Sequence, residues 1–138
     1  MEQPPVSHET QTAGNTAMIL EIVFGLFAQL GIGHVYTGRI GLGIGLLLGW
    51  WVYIAIAATI TTATVGFAGC IFAPIGIIVP IISGLQAKKY MLEKGGDGDW
   101  GKVAIVGIGG CLGFTIITVI VIVVVFGGLA AFWSSFNY

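Results

Sequence analysis

Three polar side chains interrupt or border the first apolar stretch of this 138-residue chain: Glu21, Gln29 and His34. A carboxylate, an amide and an imidazole in lipid are the groups from which proton or ion pathways are built. Ionisable groups are costly there and are functional candidates by default. Glu21, Gly25 and Gln29 fall at i, i+4 and i+8, one stripe of a helix, so a transport or ion-conducting role using Glu21 and Gln29 is one expectation. The same stripe serves equally for contact with a neighbouring helix. A carboxylate in the first turns of a helix also meets a favourable dipole. His34 reads either as a proton relay or ligand, or as an interfacial histidine bonded to a carbonyl or lipid phosphate.

A second group is aromatic. Trp50 and Trp51, followed by Tyr53, lie about 14 Å along a helix counted from Gly41, near mid-membrane rather than in the interfacial belt. There they would bind a lipid or hydrophobic cofactor, touch another subunit, or simply pack. Cys70 and Cys111 form no CxxC pair or Cys/His cluster, so no metal centre is expected, and both read as small apolar packing residues. The segment EKGGDGDWGK (93–102) offers Asp97 and Asp99, too few oxygen ligands for a calcium loop, and reads as a hydrated turn with Trp100 at the interface. No nucleophile–base pair or phosphate-binding loop is visible. No catalytic residue and no cofactor is assigned, and the chain is not expected to be an enzyme.

The elements that must position these residues follow from composition. Hydrophobic residues make up 57% of the chain and charged ones 8%, with a mean hydropathy of +1.01. Five basic and six acidic side chains cannot solvate the surface of a globular domain, which is nearer a quarter charged. The chain therefore reads as an all-α integral membrane protein. A net charge of −1 gives no footprint for nucleic acid. Residues 1–16 have no lysine or arginine and carry two prolines, which reads as a polar flexible tail rather than a secretory signal.

Four spans are expected, at about 17–36, 41–64, 68–87 and 103–133. The run from Gly41 to Leu85 would make a helix of about 68 Å. That is far more than a hydrocarbon core of roughly 30 Å, so it must turn back, and VGFAG (65–69) is the natural break. The fourth run is long enough to tilt or to break near Gly107–Gly110. Phe132, Trp133, Phe136 and Tyr138 would form an aromatic belt beyond it. Every basic residue falls in one of two connections: Arg39, and the loop 88–102 with Lys88, Lys89, Lys94 and Lys102. With four spans these share one side. The positive-inside rule makes that side cytoplasmic and puts both termini outside, in an inner (plasma) membrane.

Between the first two spans lies GIGHVYTGRIGLGIG (31–45). Gly31, Gly33 and Gly38 suit a tight turn or a close backbone approach. His34, Tyr36 and Arg39 suit an interface. Gly41, Gly45 and Gly49 then recur on one helical face, where a stripe of small residues allows close helix packing. The pattern G-x-G-H-x-Y-x-G-R, carried by Gly31, Gly33, His34, Tyr36, Gly38 and Arg39, resembles the signature of the TM-two domain family. Members of that family have two membrane helices joined by a short turn of the type GxxGxHxFYxG. Here one residue, not two, separates the histidine from the tyrosine. The resemblance covers about residues 17–64 and implies a helical hairpin there, leaving 65–138 as two further helices joined by the basic loop. The expected role is an accessory or structural subunit of a larger membrane complex, with membrane lipids and other subunits, or further copies of itself, as partners.

Overall fold

The computed structural model describes residues 7–136, with side-chain surroundings through Val124. Residues 1–6, 137 and 138 lie outside that description, as do the side chains of the expected aromatic belt, Phe132, Trp133, Phe136 and Tyr138. Five helices follow in order: α1 (His8–Leu26), α2 (Ile32–Tyr36), α3 (Ile40–Ala63), α4 (Gly69–Lys94) and α5 (Trp100–Phe136). The protein is all-helical over the described residues. Three of its helices are long and apolar enough to cross a membrane: α3, α4, and α5 over Trp100–Val124.

The break expected at 65–69 is present. The turn between α3 and α4 falls at Thr64–Ala68, where Val65 and Gly66 both adopt positive φ. Pro74 and Pro80 lie inside α4. The fourth apolar run is one unbroken helix, and Gly107–Gly110 does not interrupt it.

The first expected span is not one helix. α1 begins at His8, inside the stretch read as a flexible tail, because Ser7 caps it: the Ser7 Oγ accepts from the Thr10 amide at 3.2 Å, and Glu9 sits in the first turn. α1 then stops at Leu26. The chain reverses through Ala28 (φ +65°) and Gly31 (φ +106°) and returns as the single short helix α2. Apolar composition alone kept this break hidden, since Phe27, Leu30 and Ile32 prolong the hydrophobic run. The stripe Glu21–Gly25–Gln29 is broken with it, and Gln29 lies in the turn.

α1 packs along α4, not along α3. The two run antiparallel, with Gly14 against Leu92 and Lys88 at one end and Gly25 against Pro80 at the other. Gly84 of α4 meets the Met18 carbonyl and Ile22 in between. Small residues on both helices thus set the contact, as a small-residue stripe allows; Gly41, Gly45 and Gly49 take no part in it. Those three face open space, and the glycine of α3 that does pack is Gly43, against Val35 and Gly31.

One end of the bundle gathers the start of α1, the end of α2 and the α4–α5 connection. The Asp99 amide donates to the Tyr36 carbonyl at 3.0 Å, and the Lys94 ammonium donates to the Thr37 carbonyl at 2.9 Å. His8 and Glu9 border the same crevice as Asp97 and Trp100. Arg39 lies over the Tyr90 ring, 4.7 Å from its centroid. α1 and α2 therefore form a hairpin that enters from this end and leaves by it. This differs from the expectation of a chain start opposite the basic loop.

Candidate functional site

A helix that stops inside an apolar bundle exposes its last carbonyls, and one that starts there exposes its first amides. In lipid no water can satisfy them, so such a break survives only where protein groups take over. The residues singled out for chemistry supply those groups.

Glu21 is fully buried. Its two carboxyl oxygens accept from the amides of Gly31 (2.9 Å) and Gly33 (2.8 Å), the free donors at the start of α2. The Ser83 hydroxyl of α4 donates to the same carboxyl at 2.5 Å. Glu21 thus caps α2 from the neighbouring helix and ties both to α4. Ser83 has a second neighbour, His34, whose Nε2 lies 3.3 Å from its Oγ. With the Ser83 hydrogen directed at Glu21, His34 Nε2–H is the donor to Oγ. His34 itself is fully buried, away from any lipid phosphate, and its Nδ1 has no partner among the described residues. The chain His34–Ser83–Glu21 places serine between the other two. This is not the order of a Ser-His-Asp triad, in which histidine stands between the serine and the carboxylate.

The other end of the break is closed by the tryptophans. Trp50 Nε1 donates to the Gly25 carbonyl at 3.0 Å and Trp51 Nε1 to the Ala28 carbonyl at 2.9 Å. The Ala28 carbonyl, in the turn after α1, takes no backbone donor among the described residues, while the Gly25 carbonyl at the end of α1 also accepts from the Ala28 amide at 3.3 Å, so two indoles from α3 cap the end of α1. Tyr53 stacks on Trp50 with centroids 4.8 Å apart and donates to the Phe72 carbonyl of α4 at 2.7 Å. The aromatic cluster thus joins α1, α3 and α4 about 15 Å from the start of α3, near the middle of a hydrocarbon core. Trp51 also reaches Gly113 and Phe114 of α5.

The turn glycines show why the motif takes their form. A Cβ on Gly33 would lie 2.3 Å from the Ala17 carbonyl oxygen, and one on Gly31 would lie 2.0 Å from that of Gly43. Gly31 and Gly38 also hold positive φ. Tyr36 is buried with its ring against Gly98, and Arg39 is held on Tyr90. Gln29 is buried against Gly110, and its Oε1 has no partner among the described residues. Cys70 and Cys111 are free and exposed, not packed as expected.

Comparison with protein-family models, with curated proteins and with solved structures finds no match. Sequence reasoning missed Ser83. Its signal was the Ser83–Gly84 pair in an otherwise apolar part of α4, a small polar step that allows close approach and supplies a hydroxyl.

Proposed function

We propose that this chain is a three-span membrane protein with a re-entrant α1–α2 hairpin, acting as an accessory or structural subunit of a larger membrane assembly. The observation that carries this reading is the use of its polar side chains. Glu21, Ser83, Trp50, Trp51 and Tyr53 are all engaged in holding the hairpin and its neighbours together, and Glu21 and His34 are fully buried. A pathway residue must exchange partners with water or substrate. Glu21 and Trp51 instead satisfy backbone groups at the break that would otherwise lie bare in lipid, and Ser83, Trp50 and Tyr53 tie the neighbouring helices to it.

The open face of α3 at Gly41, Gly45 and Gly49 and the exposed apolar surface of α5 are the surfaces offered to a partner helix. On this topology the start of α1, Arg39 and the four lysines share one side, which the positive-inside rule makes cytoplasmic. The end of α5 lies on the other. Resemblance to the TM-two domain family rests on the turn motif alone. In this reading the motif serves the return of a re-entrant hairpin rather than a loop between two full spans.

Purification from native membranes in mild detergent tests the role. The particle is expected to exceed the mass of one or two chains and to carry stoichiometric partner proteins. A bare monomer or dimer that sustains a proton or ion flux in vesicles would replace this reading with transport.

A further inference from the structure

The backbones of α1 and α5 stay apart among the described residues, with α2 between them; Ala13 and Ala17 of α1 share one core cluster with Val103 of α5, and a seam is left along the two helices. On α5 the seam is lined by Trp100, Val103, Gly107 and Cys111, which recur on one helical face. On α1 it is lined by Glu9, Thr12, Thr16 and Phe24, again one stripe. Its chemistry changes along its length. Near the start of α1 is a crevice of about 330 Å³ bordered by His8, Glu9, Thr12, Tyr36, Asp97 and Trp100. Deeper, on the same faces, is an apolar groove of about 370 Å³ between Phe24 and Val103, Gly107, Ile108 and Cys111. A polar crevice above an apolar groove has the order of a lipid's headgroup and acyl chain.

The crevice also has a sign. Tyr36 and Trp100 meet edge to face with centroids 5.1 Å apart, and the pair borders the crevice with two carboxylates. Asp99 is occupied, since Lys102 lies 2.8 Å from one of its oxygens and the Lys102 amide donates to the other. Glu9 and Asp97 make no ion pair among the described residues. Two uncompensated carboxylates repel a phosphate-only headgroup, and with aromatic rings they attract an ammonium.

We propose that this seam holds one membrane lipid with a protonated amine headgroup. Its ammonium lies between Glu9 and Asp97 against Tyr36 and Trp100, and one acyl chain follows α5 past Gly107. The proposal rests on the three-span topology, which brings the crevice to the membrane surface.

The test is native mass spectrometry of the full chain released from bilayers of equal phosphatidylethanolamine and phosphatidylglycerol. The wild type is expected to retain the amine lipid about fivefold over the glycerol lipid, the scale of one or two exposed charge contacts. Combining Glu9→Gln with Asp97→Asn, both exposed positions, should abolish the preference. Gly107→Leu, whose added side chain starts in open space, should block the groove and lower retention of both lipids alike. Equal retention by the wild type, or a preference that survives the double substitution, would overturn the proposal. Displacement of the lipid by equimolar free ethanolamine would also overturn it, because the groove would then contribute nothing.

Discussion

Glu21→Ala should lower stability by on the order of 3 kcal/mol, the scale of losing several buried hydrogen bonds to one group. In detergent the melting point would fall by roughly 10 °C. The substitution removes the acceptor of the Gly31 and Gly33 amides and of the Ser83 hydroxyl at once, leaving two backbone donors bare in an apolar setting. Glu21→Gln is the informative companion. It keeps one oxygen but turns an NH₂ group towards a donor, so it should lose about half as much stability. A transport role predicts the opposite pattern: Glu21→Gln would abolish flux and leave the melting point unchanged. Thermal melts of the two variants beside the wild type therefore separate a structural carboxylate from a pathway one.

The second large effect lies at Gly33. Its missing Cβ lets α2 rest on the backbone of α1: a Cβ added there would lie 2.3 Å from the Ala17 carbonyl oxygen and 2.7 Å from the Glu21 Cβ. Carbonyl oxygens in a helix cannot swing aside as a side chain can. Gly33→Ala must therefore push α2 away and stretch both hydrogen bonds to Glu21, at a cost of about 2–3 kcal/mol. Gly45→Ala is the control. It lies on α3 with nothing near its Cβ, and alanine is the better helix former by roughly 1 kcal/mol. Gly45→Ala should match or exceed the wild-type melting point in the isolated protein. Equal losses at both positions would mean that α2 does not rest on α1.

These contrasts also mark what could be read from the sequence. α3, α4 and α5 were legible because each is a long, nearly uncharged apolar run, and the α3–α4 turn was legible because a single helix of that length could not fit the bilayer. Gly31 and Gly33 were legible as residues of close approach. The hairpin was not, because its break is encoded at a distance. Nothing between Leu20 and Ile32 lowers hydropathy enough to mark an end. The groups that permit the break are Trp50 and Trp51, some twenty residues later, and Ser83, sixty-two residues after Glu21. Glu21 itself was visible as an anomaly, but its partners were not, so a capping residue and a pathway residue looked alike. The stripe at Gly41, Gly45 and Gly49 was correctly periodic. It faces open space, and the close packing inside the chain falls to Gly14, Gly25 and Gly84 on the α1–α4 pair.

The central claim is that α1 and α2 enter and leave at the same end of the bundle, so that the start of the chain and the basic loop share one side. Single-cysteine variants of a chain with Cys70→Ser and Cys111→Ser, one at Ser7 and one at Gly96, can be labelled with an impermeant thiol reagent in sealed, uniformly oriented vesicles. The re-entrant hairpin predicts that Ser7→Cys and Gly96→Cys are labelled from the same side and protected from the other. Labelling of the two from opposite sides would make α1 a full span and contradict the account.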